Sequence, residues 1–299
     1  VRKRAEAEHV VRALALEGRF DPSILLANAA GVDAILCTPA DRIDAALIEQ
    51  LPDTVRVIGT FSVGLEHIDL PAAQARGVVV CNTPDVLSVA TAELALTLML
   101  MAARRAGEGE RLLRAGKWTG LTPTFHLGVG VAGKTLGIFG MGRIGRELAE
   151  MARGLRMRIH YRNRSRLDAG LEAGALYHDD EARFLGACDF LSINAPGGPA
   201  TRHWLNAERI GMLRPGAIIV NTGRGTTVDD DALIAALQSG HVAAAGLDVF
   251  ADEPAVHPGY LALENVVLLP HIGSATVEAR NAMGFLALDG IAAVVGTRT

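Results

Sequence analysis

Residues 134–145 read Lys134-Thr135-Leu136-Gly137-Ile138-Phe139-Gly140-Met141-Gly142-Arg143-Ile144-Gly145, and this stretch decides the fold. The apolar run from Thr135 to Phe139 reads as a strand and runs directly into a G-x-G-x-x-G turn. A helical pattern follows over Arg146 to Leu155, then a second strand-like run from Met157 to Tyr161. Strand, glycine turn, helix and strand in that order are the context that makes this motif a dinucleotide fingerprint. Gly140 makes the tight turn, Gly142 lets backbone N–H groups approach a pyrophosphate, and Gly145 lets the helix pack on the strand. Met141, Arg143 and Ile144 complete the cofactor-binding turn.

Further along, the residue types indicate which dinucleotide. An NAD site places an Asp or Glu about 20 residues after the glycines, on the ribose 2′-hydroxyl. Here the chain reads Tyr161-Arg162-Asn163-Arg164-Ser165-Arg166. Guanidinium groups and a hydroxyl suit a 2′-phosphate. One charge-assisted contact of roughly 1.5–3 kcal/mol favours NADPH by about tenfold or more. Arg162, Asn163, Arg164 and Ser165 are therefore expected at the adenosine end, with NADPH preferred and NADH as the second candidate. The alternative is a solvated basic loop.

Composition sets the outer limits. The chain has 299 residues, 49% hydrophobic and 21% charged, enough for two ordinary globular domains. A net charge of -4 offers no broad basic surface for nucleic acid or an anionic membrane. Cys37, Cys81 and Cys188 are scattered and odd in number, which fits a reducing, cytoplasmic setting better than a disulfide scaffold. The apolar stretch Leu94 to Ala103 is too short to span a bilayer and ends in Arg104-Arg105, so it reads as a core helix. No signal peptide is expected; the chain starts without Met and its first strand is hard to find, so the N-terminus reads as incomplete or altered. His67, His160 and His203 lack spacing partners, and no metal site is expected.

Outward from the fingerprint, short β-like runs alternate with helical ones. In the first part the strands are expected at Ala34 to Cys37, Val55 to Gly59 and Val78 to Cys81, with a helix over Arg42 to Gln50. Val86 to Leu113 reads as one long helical region. Later strands are expected at Phe190 to Ile193, Ala217 to Val220, Ala243 to Leu247 and Val266 to Leu269, and a final helix over Val277 to Val295. Such alternation predicts parallel sheets with helices on both faces. The fold class is α/β, with two domains and a cleft between them. Residues 1–88, completed by the C-terminal segment 277–299, form the substrate-binding domain; residues 89–276 form the NAD(P)-binding Rossmann domain.

Three strand-end segments carry chemistry. Asn221-Thr222-Gly223-Arg224-Gly225 sets an arginine between glycines, suited to a carboxylate. Gly246 to Pro254 supplies Asp248, Asp252 and Glu253; Leu268 to Ser274 places His271 directly after a strand. Each has a bland reading alone: a loop arginine, a solvated acidic turn, a structural histidine. Together, at strand ends of a nucleotide fold, they suit hydride transfer at a carboxylated carbonyl. The arginine anchors the anion and the imidazole, with an ordinary pKa of about 6.5, supplies the proton.

With these motifs the chain resembles the D-isomer-specific 2-hydroxyacid dehydrogenases, and among them the NADPH-using glyoxylate/hydroxypyruvate reductases. The likeness covers Ala34 to Gly290 and rests on GxGRIG at 140–145, NTGRG at 221–225, GLDVFxxEP at 246–254 and LPHIGSAT at 269–276. It implies a two-domain fold, with a flavodoxin-like substrate domain beside the dinucleotide-binding one. It further implies that Arg224 binds the substrate carboxylate and carbonyl, that Glu253 pairs with His271, and that His271 is the general acid in reduction. Val63 and Gly64, in Ser62 to Asp69, would present backbone N–H groups to the carboxylate. Thr91, Thr222, Gly223, Asp248 and Gly273 match cofactor-contacting positions, Asp248 at the nicotinamide carboxamide. Asn194-Ala195-Pro196 with Thr201 matches the loop lining the adenosine side, although the family usually writes Leu-Thr or Leu-Pro there. The resemblance also implies a homodimer, in which Leu121 either reaches the partner's active site or makes a hydrophobic contact only.

Other readings share the fold. A phosphoglycerate enzyme calls for extra basic groups near Ser62 to Asp69, where this chain offers Glu66; relatives of that type often carry a regulatory domain, for which residues up to Thr299 leave no room. A formate enzyme would pair its histidine with Gln rather than Glu253. A non-catalytic nucleotide-sensing scaffold would bind NADPH and turn over no ketoacid.

Overall fold

The computed structural model describes residues 1–14 and 20–297. Residues 298 and 299 of the expected C-terminal segment, and residues 15–19 of the first domain, lie outside the described residues. The chain divides into two compact units, Val1–Leu87 with Ala275–Thr299, and Ser88–Ser274.

In the first unit, strands β1 (Ala34–Cys37), β2 (Val57–Thr60) and β3 (Val79–Cys81) form a parallel sheet in the order β1-β2-β3. Leu36 pairs with Gly59, which pairs with Cys81. The central strand β2 is buried throughout. The helix Val277–Val295 packs on this sheet, and small residues permit its approach. A Cβ on Gly59 would lie 3.0 Å from Ile291 Cδ1, and one on Gly290 would lie 2.8 Å from Cys81 Cβ. The helix expected from Arg42 begins later, at Ala45, because the Asp44 carboxylate accepts the Leu47 N–H and fixes the N-cap there.

In the second unit seven strands are all parallel: β4 (Thr135–Phe139), β5 (Arg158–Arg162), β6 (Leu176–Tyr177), β7 (Phe190–Ile193), β8 (Ala217–Asn221), β9 (Val242–Leu247) and β10 (Val266–Leu268). Their order is β10-β9-β8-β7-β4-β5-β6. β6, of two residues, carries too little pattern to be seen in the sequence. The order reverses between β7 and β4, which in open parallel sheets is where ligands bind. The register also aligns the strand ends: Phe139 pairs with Ile193 and Arg162, and Asn221 with Ile193 and Leu247. The loops beginning at 140, 194, 222, 248 and 269 therefore leave the same edge of one sheet.

The long helical region expected over Val86 to Leu113 is two helices, Ser88–Ala103 and Ala106–Arg114. Arg105 breaks it with a left-handed φ of 51°, and His126 Nε2 lies 2.9 Å from the Arg105 carbonyl oxygen. The first helix is the core element. Ala95, Leu98, Met99 and Ala102 pack with Leu148, Ala149 and Ala152 of the helix Arg143–Gly154. A Cβ on Gly246 of β9 would lie 2.8 Å from Leu98 Cβ, so glycine lets this helix sit close on the sheet. All three cysteines are free, and burial pushes the Cys37 and Cys188 thiols up to about 12. Among the described residues no helix is long and apolar enough to cross a membrane.

Candidate active site

The glycine turn after β4 is built by exclusion. Gly140 has φ 91°, and a Cβ there would fall 2.5 Å from the Ala195 nitrogen. A Cβ on Gly145 would fall 2.7 Å from the Gly140 carbonyl oxygen and 3.0 Å from Ile138 Cγ2, so the helix Arg143–Gly154 can reach the strand only as glycine. Gly142 differs. It is the N-cap of that helix, no side chain caps it, and a Cβ there would meet nothing within 4 Å. Open space over the first N–H groups of a twelve-residue helix is a fit for a pyrophosphate. Met141, buried, donates its N–H to Asn163 Oδ1 at 2.7 Å, which ties the turn to the end of β5.

Beyond β5 the basic residues separate. Arg162 donates to the carbonyls of Asp179 (2.6 Å) and His178 (3.3 Å) and lies 3.4 Å from Glu181. Arg166 forms a fork on Glu172 at 2.8 and 3.0 Å, and the buried Tyr161 hydroxyl donates to the same carboxylate at 2.6 Å. The Arg166 hydrogen bond, followed by that from Tyr161, holds the Glu172 carboxyl below its ordinary value. Arg162, expected at a 2′-phosphate, is thus engaged within the fold, as is Asn163. Arg164 and Ser165 are exposed and have no partner among the described residues.

Across the order reversal, the loop after β7 is tied to the loop after β8 and within itself. Thr222 Oγ1 donates to Asn194 Oδ1 at 3.3 Å, and Thr201 Oγ1 donates to the Pro196 carbonyl at 2.7 Å. A Cβ on Gly223 would lie 2.8 Å from the Ala195 carbonyl oxygen, and one on Gly197 3.0 Å from Arg224 Cγ. Glycines on both sides therefore let the Arg224 stem lie against this loop, while Arg224 Nη1 donates to the Gly223 carbonyl at 2.8 Å.

Glu253 and His271 are paired. His271 Nδ1 lies 2.6 Å from Glu253 Oε2, and Glu253 Oε1 accepts the Phe250 N–H at 2.9 Å. A carboxylate only accepts, so Nδ1 carries the hydrogen and Nε2 is left for other chemistry. Burial opposes ionisation of Glu253. The His271 hydrogen bond, the Phe250 N–H and the charges of His271 and Arg224 outweigh it and hold the carboxyl below its ordinary value. His271 itself has a left-handed φ of 52°. Asp248, 1% exposed, secures that backbone: its two oxygens accept the Ile272 and Gly273 N–H groups at 2.8 Å each, and its carbonyl accepts the His271 N–H at 2.9 Å. Burial raises the Asp248 pKa against the pull of those two N–H groups. A Cβ on Gly273 would lie 3.2 Å from Asp248 Oδ2 and 3.3 Å from Thr91 Cγ2, which places three of the expected cofactor positions together.

The chain as a whole has close relatives among known proteins. Residues 96–273 match the model of the D-isomer specific 2-hydroxyacid dehydrogenase NAD binding domain. This chain belongs to that family. The dehydrogenase is 44% identical over 282 residues to "Glycerate dehydrogenase" of Hyphomicrobium methylovorum, covering 92% of this chain and 88% of the relative. It is also 44% identical to "Glyoxylate reductase" of Thermococcus litoralis, covering 88% of this chain and 80% of that one. In three dimensions it matches the NADPH-dependent glyoxylate/hydroxypyruvate reductase of Sinorhizobium meliloti in complex with NADP and malonate. There the TM-score is 0.83 and the identity 36%, over 91% of this chain and 84% of that one.

The first unit of the dehydrogenase holds Val63 and Gly64. Every carbonyl of this turn is engaged: Ser62 O accepts the Thr83 N–H (2.8 Å), Val63 O accepts Asn82 Nδ2 (2.9 Å) and Gly64 O accepts Ser62 Oγ (2.6 Å). The Val63 and Gly64 N–H groups have no acceptor among the described residues. Two adjacent unpaired donors suit an anion. Sequence reasoning missed Asn82, which holds this turn from 19 residues away, and Gly225. The glycine after Arg224 was a legible signal, but what presses on it was not. Among the described residues no three His, Cys, Asp or Glu side chains group as a metal site.

Proposed function

We propose that this dehydrogenase reduces a short 2-oxo acid, glyoxylate or hydroxypyruvate, to the D-2-hydroxy acid, with NADPH preferred over NADH. The observation that carries the reading is the 2.6 Å Glu253–His271 pair together with the charge of Arg224 acting on Glu253. The names borne by the Hyphomicrobium, Thermococcus and Sinorhizobium relatives support the substrate class, since glycerate is the reduction product of hydroxypyruvate. The D configuration follows from the family.

The open helix N-terminus at Gly142 to Ile144 holds the pyrophosphate, and Arg164 with Ser165 takes the 2′-phosphate. Thr91, Thr222, Gly223, Asp248 and Gly273 line the nicotinamide side, and Asn194, Ala195, Pro196 and Thr201 the adenosine side. When bound, the reduced cofactor supplies the hydride. The rest is done by the chain's own groups. Arg224 and the Val63 and Gly64 N–H groups hold the substrate carboxylate, and Arg224 polarises the carbonyl. His271 gives the Nε2 proton to the carbonyl oxygen and remains neutral with its hydrogen on Nδ1, where Glu253 keeps it. The product hydroxyl carries that proton.

Initial rates with glyoxylate and hydroxypyruvate, each with NADPH and NADH, test the reading. Fast NADPH oxidation with slow NADH oxidation supports it in full. Equal rates would leave the reductase and remove the cofactor preference. Absence of turnover despite NADPH binding would replace it with a sensing role. Within the basic loop, Arg164→Ala is expected to raise KM for NADPH about tenfold and leave that for NADH within about twofold. Equal losses for both cofactors would remove Arg164 from the 2′-phosphate.

We further infer a homodimer. Leu113, Trp118, Leu121, Leu127 and Val129 are exposed along one segment of the second unit, a run of apolar groups that association would cover. Light scattering is expected to give twice the 31.4 kDa chain mass. A monomeric mass at micromolar concentration would overturn the inference.

A further inference from the structure

We propose that His67, Thr60 and Ser62 form a directed hydrogen-bond chain that positions the Val63–Gly64 turn as the seat of the substrate carboxylate, with His67 at its head. The inference rests on the function proposed above. It concerns residues that lie beneath the turn rather than in contact with substrate.

Three contacts define the chain. Ser62 Oγ lies 2.6 Å from the Gly64 carbonyl oxygen, Thr60 Oγ1 lies 2.9 Å from Ser62 Oγ, and His67 Nε2 lies 2.8 Å from Thr60 Oγ1. Proton counting fixes their direction. A carbonyl only accepts, so the single Ser62 proton goes to Gly64 O. Ser62 must then accept from Thr60, which spends the single Thr60 proton. Thr60 in turn accepts, and His67 Nε2 must carry the hydrogen it accepts. No other assignment places one proton in each contact. Cys37 Sγ, 4.0 Å from the same ring nitrogen, is a distant second neighbour.

The chain runs out of water: Thr60 is 0% and Ser62 7% exposed. There each link polarises the next, and an unmet hydroxyl is costly. Its end point is the Gly64 carbonyl, whose direction sets the peptide plane that follows. Thr83 and Asn82 hold the two preceding carbonyls, of Ser62 and Val63. The Ser62 and Val63 carbonyls share their peptide planes with the Val63 and Gly64 N–H groups, and the Gly64 carbonyl anchors the plane that follows, so the turn is held at both ends and the two donors stay presented together. Thr60, at the last position of β2, belongs to the sheet and is rigid, so the chain transmits the sheet's fixed geometry to a loop.

Thr60→Val keeps the shape and removes the hydroxyl that makes two of the three contacts. In the NADPH-bound enzyme we expect KM for glyoxylate and Kd for the non-reacting isostere oxamate to rise about tenfold, with kcat within about twofold. NADPH affinity is expected to be unchanged, which also reports that the variant is folded. Thr60→Ser, which restores the hydroxyl, is expected to recover both constants to within about twofold. Wild-type turnover with unchanged KM and oxamate Kd in Thr60→Val would overturn the chain alone, as would a raised KM that Thr60→Ser fails to restore. Absence of glyoxylate turnover and of oxamate binding in the unaltered protein would overturn the proposed function, and the chain's role with it.

Discussion

Replacing His271 with alanine is expected to lower kcat for glyoxylate reduction by about 10²-fold or more, the usual scale of general acid catalysis. The imidazole is held by Glu253 at 2.6 Å through Nδ1, so under the proposed mechanism its other nitrogen gives up the proton and leaves a neutral ring. A loss of that size corresponds to about 2.7 kcal/mol of transition-state stabilisation. It should appear in kcat with little change in NADPH affinity, because the glycine turn and the Arg164 region are untouched. Glu253→Gln is expected to do less harm than His271→Ala, since an amide oxygen still accepts from Nδ1 but carries no charge. Below the ordinary carboxylate range wild type should behave in the same way. The Glu253 pKa is depressed, so its carboxylate is present above that range and is lost as pH falls through the lower folded value. Steady-state rates across pH check both statements. A His271→Ala variant with kcat within threefold of wild type would remove His271 from the mechanism.

Gly225→Ala is expected to be the most damaging single methyl group in the chain. A Cβ at Gly225 would fall 1.9 Å from the Phe250 carbonyl carbon and 2.3 Å from the Ala251 nitrogen, both backbone atoms that cannot swing aside. The clash sits between the loop that carries Arg224 and the loop that carries Glu253, three residues beyond Phe250. Overpacking of this kind costs about 3 kcal/mol or more. For a unit of this size that lowers Tm by roughly 6–12 °C. Relief by separating the two loops would also pull Arg224 from Glu253 and cut kcat/KM by about tenfold or more. Thermal unfolding followed by circular dichroism, with kinetics on the remaining folded protein, reads both effects. A Tm within 2 °C of wild type would show that the two loops do not need the contact.

Much of this architecture is legible in the sequence because its signals are local. The dinucleotide turn is a run of neighbours, from Thr135 to Gly145, although only Gly145 is forced by residues close in sequence; Gly140 answers to Ala195 on the loop after β7. Every expected strand forms within two residues of its expected ends, and the final helix spans Val277–Val295. What could not be read depends on distant partners. Arg162 looks like its neighbour Arg164, yet it stands at the end of β5, where the Asp179 carbonyl and Glu181 reach it from the start of the helix Glu181–Ala187 and the turn before it. The break at Arg105 requires His126, and charged residues there otherwise continue a helical pattern. The clash that forces glycine at 225 comes from Phe250, on another strand's loop. Sequence spacing says that Gly225 is a glycine in a loop, and only the fold says what it must avoid.

On the function proposed above, the commitment of Arg162 and Arg166 to carboxylates and carbonyls leaves cofactor identity to an exposed tip, Arg164 and Ser165. Fold stability and coenzyme choice are thereby uncoupled: mutations at the tip are free to drift between the two nicotinamide pools without loosening β5. A lineage of this protein moving between reductive and oxidative metabolism would have a short path, two codons long, and an engineer reversing its redox partner should begin there and leave the neighbouring arginines alone.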